Sequence, residues 1–476
     1  MNGAVRATRD AIAEGSITAT AAVEEALHRI AERDTRLHAV VALRVEDALR
    51  EAQACEARLR AGAPARPLEG VPMLVKDLES VAGMPTRKGS LLLADSEPAL
   101  EDDHVVHLLR EAGAIVVGKT NLPEFATEGF TDNLLDGSTG NPWSTAHSPG
   151  GSSGGSAAAL SAGMVPIATA TDGGGSVRIP AAMCGLVGLK PTHGAVGRRP
   201  AHDWIDLSSS GPFATTVDDL RLLTSVLVGR ANGDPASAPA PWDPLMHGVA
   251  RPSHVIVAER TSPLGPLPHD VRAAFEDAVA AFCTLLPAPT TRVATDAFFG
   301  GLGDPDDDWF TLATAEHVQS LGRYAVVAGL DRMHPATAQF MRQGLDISID
   351  AYLAARRRRT LYTRRLDDLL GPSGLLVTPT VASSGWLADG RLTVDGAPGM
   401  LPASVYSTAV QNVTGHPAIS LPAGVFATGL PFGLQVTAAR WRDDLLLDVA
   451  EAWERAFPWP RTAQGYDEFR VAPSHA

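Results

Sequence analysis

The chain has 476 residues, 45% hydrophobic and 20% charged, a balance that excludes a disordered or collagen-like polymer. Its 40 Lys and Arg against 54 Asp and Glu leave a net charge of −14. No general attraction for nucleic acid or an anionic membrane surface is therefore built in. Cys55, Cys184 and Cys283 are odd in number and lack metal-ligand spacing, which argues against a disulfide framework and a zinc site. Residues 1–10 lack a signal-peptide core, and no uncharged apolar run reaches about 18 residues, so a cytoplasmic protein is expected.

Residues 1–62 read as helices: Val23, Leu27 and Ile30 recur at i, i+4, i+7, and Val45, Leu49, Ala52 and Leu59 continue on a later helix. Gly70-Val71-Pro72-Met73-Leu74-Val75 then reads as a short buried strand ending at Lys76-Asp77. Val105, Leu108, Leu109 and Ala112 mark a helix, followed at once by a strand over 114–117. Residues 165–171 and 186–189 are further buried strands separated by small-residue helices. This alternation predicts an α/β fold whose sheet is covered on both faces. Residues 231–245, rich in Pro, Ala and Asp, predict an exposed connection, and 270–370 reads as helices with irregular loops. There the run Arg356 to Arg359 reads as the solvated face of one helix. Strands return at 375–380, 418–421 and 432–436, and a helix closes the pattern over 443–456. The expectation is one domain over 1–476: N-terminal helices at 1–62, a motif-bearing core at 63–230, a variable helical insertion at 270–370, and 371–476 completing the same sheet.

Two formal motif matches fail on context. Gly113-Ala114-Ile115-Val116-Val117-Gly118-Lys119-Thr120 fits the phosphate-loop formula, but its middle residues form a strand and Pro123 stands where the helix should be established. Gly150-Gly151-Ser152-Ser153-Gly154 fits the nucleophile-elbow formula, which a glycine- and serine-rich run meets easily by chance. His317, His334 and His416 could complete such a triad, yet no local context selects one. His104 and His107 lack a third metal ligand and read as solvent-facing.

The informative residues are hydroxyls and a lysine. Pro149-Gly150-Gly151-Ser152-Ser153-Gly154-Gly155-Ser156 and Thr171-Asp172-Gly173-Gly174-Gly175-Ser176-Val177-Arg178 put serines on backbone nearly free of side chains. Successive glycines before Ser176 let main-chain N–H groups converge on a developing oxyanion. A serine hydroxyl needs a base, and no histidine is close to either segment. Lysine occurs only as Lys76, Lys88, Lys119 and Lys190, against 36 arginines, and Lys76 ends a buried strand. In water roughly one lysine in 2,500 is neutral at pH 7, but burial can lower its pKa by several units, an option arginine lacks.

Together with Gly118-Lys119-Thr120-Asn121-Leu122-Pro123-Glu124-Phe125, Asn141-Pro142-Trp143, Gly188-Leu189-Lys190-Pro191-Thr192, Ser210-Gly211-Pro212, Thr378-Pro379-Thr380 and Gly415-His416-Pro417-Ala418-Ile419-Ser420-Leu421-Pro422, these segments resemble the amidase signature family in order along nearly the whole chain. The resemblance is weakest between 230 and 370. It implies an α/β/α sandwich with a mixed central sheet and helices on both faces. By the same resemblance Ser176 is the nucleophile, Ser152 a bridging serine on a cis peptide, and Lys76 the base. The N–H groups of Gly173, Gly174, Gly175 and Ser176 form the oxyanion hole. Asp172 and Arg178 brace the loop as an ion pair, and Thr131 and Asn133 fix loops. Ala126, Thr127 and Glu128 fall where the family lines its pocket, and Glu128 should disfavour anionic substrates.

The implied activity is cleavage of C–N bonds other than peptide bonds in neutral amides, aryl amides among them, with esters and carbamates in reach. No metal or organic cofactor is implied. Small-molecule substrates are the expected partners, with no nucleic acid or membrane, and the chain is expected to be a monomer or homodimer. The alternative is a glutamine amidotransferase subunit supplying ammonia to a partner protein; a binding protein on an inactive scaffold is disfavoured by the intact Lys76, Ser152 and Ser176. Three departures bear on the reading. Gly173 stands where the family commonly has a larger residue, which predicts an open acyl side or a mobile loop. Residues 201–207 lack the serine–leucine–aspartate–glutamine pattern of tRNA-dependent amidotransferase subunits, and no further C-terminal domain resembles that of the long allophanate hydrolases. Gly300-Gly301-Leu302-Gly303 predicts a mobile loop at a roomy entrance.

Overall fold

The computed structural model describes residues 3–198, 203–229, 231–261, 266–294, 298–394, 397–399 and 407–472. Ala201 and His202, in the segment that departs from the amidotransferase pattern, lie outside them.

Small buried residues spaced along one stripe start the chain's packing. The helix Ala19–Leu37 is capped by Thr18 Oγ1, which accepts from Ala21 N at 3.0 Å, and it buries Ala19, Ala22, Val23, Ala26, Ile30 and Leu37. Helix Val45–Arg60 packs beside it. The sequence reading missed the short strand Val40–Leu43 between them, whose four residues carry no alternation of burial. That strand pairs antiparallel with Ile115–Thr120 in a four-stranded sheet whose other members are Pro72–Lys76 and Ile167–Ala168. Pro72–Lys76 and Ile115–Thr120 are buried at every residue, as near-continuous apolar runs in parallel pairing demand.

A seven-stranded mixed sheet runs in the order Thr290–Arg292, Val255–Val257, Leu375–Pro379, Pro431–Ala438, Ala418–Val425, Val187–Lys190 and Phe213–Ala214. Its first three strands are parallel and the rest antiparallel. Side-chain alternation covers both faces. Ile419 and Leu421 join the core that contains Phe275 and Leu446, from helices His269–Leu285 and Asp443–Ala456. On the opposite side Gly433 lies so close to helix Arg178–Cys184 that a Cβ there would come within 2.4 Å of the Ala182 Cβ. The architecture is thus α/β, a mixed multi-stranded sheet flanked by helices. Val255–Val257 and Thr290–Arg292 escaped the sequence reading because three residues are too few to establish a period.

The region 270–370 carries helices His269–Leu285, Pro305–Leu321, Arg323–Gly329, Pro335–Leu345 and Ile349–Leu370. The arginine run on the last of these corrects the expectation of a solvated face. Arg356 pairs with Asp206 and Glu316, Arg358 with Asp308, and Arg359 with Asp206. The helix turns these three toward carboxylates of the neighbouring helix and of the 203–207 segment. Gly300-Gly301-Leu302-Gly303 packs against this same helix: a Cβ on Gly303 would meet the Tyr362 hydroxyl at 2.8 Å, and that hydroxyl donates to Leu302 O at 3.4 Å. No helix among the described residues is long and apolar enough to cross a membrane.

Arg29 ties the two ends of the chain together. Its buried guanidinium donates to the carbonyls of Gly163, Asp467, Glu468 and Arg470 at 3.0–3.3 Å. Arg29→Met should therefore cost about 2–3 kcal/mol, the scale of hydrogen bonds from a charged donor. The expected result is a lower urea midpoint and faster proteolytic trimming of residues 463–472; unchanged values of both would refute it.

Candidate active site

Three chain breaks aim the predicted residues at one place. Lys76 is the last residue of strand Pro72–Lys76, Ser152 lies two residues before helix Gly154–Ser161, and Ser176 lies two before helix Arg178–Cys184. Each helix is buried throughout, and the first is built almost entirely from Gly, Ala and Ser, so backbones approach closely. A Cβ on Gly151 would fall 2.7 Å from Glu128 O, and one on Gly154 would fall 2.1 Å from Thr131 Oγ1. The Gly151–Ser152 peptide is cis. Thr131 Oγ1 donates to Gly150 O at 2.7 Å, and Asn133 Nδ2 donates to Asn121 Oδ1 and Leu122 O at 2.7 and 2.8 Å.

The Lys76 amine is wholly buried among hydroxyls. Its Nζ lies 2.8 Å from Ser152 Oγ, 3.0 Å from Ser153 Oγ and 2.9 Å from Thr171 Oγ1. Burial pulls its pKa below the ordinary lysine value, against the opposing fields of Glu79 and Asp172. Among the described residues no carboxylate is a hydrogen-bond partner of this amine, and a hydroxyl can either accept from an ammonium or donate to a neutral amine's lone pair. The surroundings therefore suit both protonation states. Lys119, the lysine of the formal phosphate-loop match, is instead a strand residue paired with Asp77 at 2.7 Å.

The glycine loop before Ser176 is held by its carbonyls. Asp172 O accepts from Asn412 Nδ2 at 2.8 Å, Gly173 O from Trp309 Nε1 at 2.7 Å, and Gly175 O from Ile179 N at 2.7 Å. In a trans peptide the N–H points away from the C=O, so these anchors turn the N–H groups of Gly173, Gly174 and Ser176 the other way. None of the three has a hydrogen-bond partner among the described residues. Gly175 corrects the expected quartet: its N–H donates to Asp172 Oδ1 at 2.8 Å and is not free for an oxyanion. Asp172 also accepts from Val177 N and from Arg178 through two guanidinium nitrogens, at 2.9 and 2.7 Å. The remaining Arg178 donors reach Gln411, Gln435 and Asn412 at 2.7–3.0 Å. Arg178 and Asp172 are both fully buried, and Arg178 holds Asp172 below the usual carboxylate range despite that burial.

Ser152, Thr171, Gly173 and Ser176 line one cavity of about 170 Å³, walled further by Phe125, Trp204 and His317 and bordered by Lys88 and Asp203. Ser176 is 8% exposed, and no hydrogen bond joins it to Ser152. Gly173 does not open this cavity. A Cβ there would fall 2.0 Å from the Trp204 ring, which fills the space a side chain would take. Phe125 and Ala126 both have positive φ, at 52° and 60°, strain of the kind that collects at functional walls. Of the expected substrate contacts, Ala126 lines the cavity. Thr127 does not: its hydroxyl donates to Glu124 O and meets Thr337 Oγ1. Nor does Glu128, whose carboxyl is pushed up to about 7 by burial, so it carries less negative charge than its residue type implies. Gly300-Gly301-Leu302-Gly303 is also absent from this lining. Burial lowers His317 to about 4, leaving a neutral ring whose Nε2 lies 3.1 Å from Phe125 O. The sequence reading missed Ser153, Thr171, Trp204 and Trp309, and it named His317 only as one of three histidines available to a nucleophile-elbow triad. Only the first two carried a signal, as hydroxyls inside the two motifs.

The chain matches the family model described as Amidase over residues 21–285 and 311–447. It is 34% identical to a glutamyl-tRNA(Gln) amidotransferase subunit from a Picosynechococcus species, over 96% of this chain and 98% of that one. Among solved structures it resembles a bacterial aryl acylamidase, with a TM-score of 0.85, 29% identity and 95% of each chain covered. The 6-aminohexanoate cyclic dimer hydrolase complexed with substrate gives a TM-score of 0.83 and 29% identity over 96% of this chain and 97% of that one.

Gly173→Ala tests the packing of the loop. The added methyl would collide with Trp204 and shift the N–H donors, and a displacement near 1 Å costs on the order of 100-fold in rate. A fall of that size in kcat/KM, with altered tryptophan fluorescence, is expected; wild-type kinetics would refute the close packing.

Proposed function

The chain belongs to the amidase signature family, hydrolases acting on carbon–nitrogen bonds, and on that footing we propose that it cleaves neutral amides, aryl amides in particular, through an acyl-enzyme on Ser176. The observation that carries the reading is the buried Lys76 amine within hydrogen-bond reach of Ser152, which shares a cavity with Ser176. Neutral Lys76 takes the Ser152 hydroxyl proton while Ser152 takes that of Ser176, and Ser176 Oγ bonds to the substrate carbonyl carbon. The oxygen that becomes negative is met by the N–H groups of Gly173, Gly174 and Ser176. As the C–N bond breaks, the proton returns from Lys76 through Ser152 to the departing amine. Water then repeats the sequence on the ester, releasing the acid and free Ser176. Thr171 and Ser153 keep the amine aligned throughout, and the Asp172–Arg178 pair keeps the donors in place.

The aryl preference rests on the walls. A cavity of about 150 Å³ suffices for benzene, and this one has about 170 Å³ beside Phe125, Trp204 and His317. Lys88 and Asp203 pair with each other at 2.8 Å, and Asp103, the remaining carboxylate of the lining, disfavours anionic substrates. The likeness to an aryl acylamidase structure supports the same reading. A second reading, ammonia supply from glutamine to a partner, is favoured by the 34% identity to an amidotransferase component. Purified alone, the chain should give a higher kcat/KM on a neutral nitroanilide than on glutamine; a clear preference for glutamine would replace the first reading by the second.

The roles have their own test. Ser176→Ala should abolish turnover while leaving the fold intact, and a fluorophosphonate should label Ser176. Labelling of Ser152 with Ser176 free would overturn the assignment. Lys76→Arg keeps the charge but cannot act as a base near neutral pH, so it should retain under about 1% of activity.

A further inference from the structure

Three residues beyond Lys76 lies a second buried ionisable group that the reaction above does not use. Glu79 is 1% exposed and outside the cavity lining. It is tied to Lys76 twice through the backbone. Glu79 N donates to Lys76 O at 2.9 Å, closing the turn after the strand. Lys76 N donates to Thr169 Oγ1 at 2.9 Å, and that hydroxyl donates in turn to Glu79 Oε2. The other carboxyl oxygen, Oε1, is buried with no hydrogen-bond partner among the described residues. A fully ionised carboxylate would not leave an oxygen bare in such a place without a nearby positive charge.

We propose that Glu79 is a positioning residue that fixes the Lys76 backbone and sets the pH at which the Lys76 amine becomes a base, an inference that rests on Lys76 being the general base. The two groups can exist as ammonium and carboxylate or as amine and carboxylic acid. Both forms hold the same number of protons. Two of the other charges around the pair are already matched. Asp172, facing Lys76, is held by Arg178, and Lys119, facing Glu79, is held by Asp77. Asp103, also facing Glu79, accepts from Ser80 N at 2.8 Å. Burial raises the Glu79 pKa, and its field raises that of Lys76, in the sense this pairing requires.

The sign follows from the charge. An ionised Glu79 stabilises the Lys76 ammonium, so removing it lets the amine lose its proton at lower pH. In profiles of kcat/KM against pH on a nitroanilide, Glu79→Gln should move the acid limb down by about one pH unit with little change in KM. Thr169→Val, nearly isosteric, withdraws the hydrogen bond that favours the ionised carboxyl and should move the limb the same way. Glu79→Asp should restore at least half of the shift. The same displacement should appear in the pH dependence of fluorophosphonate labelling at Ser176. An acid limb that stays put or moves upward in Glu79→Gln overturns the inference, and Thr169→Val decides by the same criterion where Glu79→Gln does not fold. A Lys76→Ala variant labelled as fast as wild type would instead overturn the general-base reading itself.

Discussion

The structure turns on an amine taken out of water without a carboxylate in direct contact. Ser152, Ser153 and Thr171 satisfy the Lys76 amine by hydrogen bonds, but hydroxyls do not offset the loss of a hydrated positive charge. The proton is therefore held loosely, which a base needs and a structural ion pair would prevent. Lys190 shows the same physics: buried, bonded to Pro191 O at 2.7 Å, and lowered to about 7 by burial. A group charged in the unfolded chain and neutral in the folded one makes unfolding take up a proton. Its cost to stability accordingly grows as pH falls below the ordinary lysine value and levels off below the lowered one. Arginine could not occupy such positions, and the chain keeps lysine at Lys76 and Lys190, both buried, while using arginine nearly everywhere else.

A second constraint is complementary. Where Lys76 is left without a carboxylate in contact, Asp172 and Arg178 are given every partner. A buried ion pair is tolerable only when its remaining donors and acceptors are satisfied. Here Gln411, Asn412 and Gln435 complete the guanidinium, and the N–H groups of Gly175 and Val177 complete the carboxylate. This fully matched hub fixes the turn from which Ser176 projects. It also explains why Gly175 drops out of the expected oxyanion hole: the loop uses one N–H for its own rigidity and presents those on either side.

The residues of the candidate site stand out in the sequence because they lie in contiguous signals. Lys76 closes an apolar strand, and the glycine–serine segments declare themselves by composition. The layered fold was legible for the same reason, since strands such as Pro72–Lys76 and Ala418–Val425 are runs of apolar residues. What was not legible arises from distance along the chain. Trp204 fills the space beside Gly173, so an absent side chain that reads as openness is in fact a packed contact. The arginine run looks solvated until helix Ile349–Leu370 is set against Asp206, Asp308 and Glu316. Thr127 and Glu128 sit beside Ala126 in sequence, but the left-handed backbone at Phe125 and Ala126 aims only part of the segment into the cavity.

The same division between local and distant signals runs between the proposed catalytic residues and the proposed substrate wall. Lys76, Ser152 and Ser176 all fall within the stretch that matches the family, residues 21–285, and their neighbours come from the same motifs. The wall residues Phe125, Trp204 and His317 also fall within the family match, but a residue packed behind them does not. Trp309, whose indole holds the Gly173 carbonyl and whose ring stands 5.6 Å from that of Trp204, falls in the interval 286–310 that the family match passes over. His317, on the same helix, lies 5.1 Å ring to ring from Trp204 and forms another part of the wall. Helix Pro305–Leu321 thus reaches the candidate site twice: Trp309 holds the Gly173 carbonyl, and His317 lines the cavity. Trp309 therefore touches the site in two ways without lining the cavity: its indole holds the Gly173 carbonyl, and its ring backs the Trp204 ring that does line it.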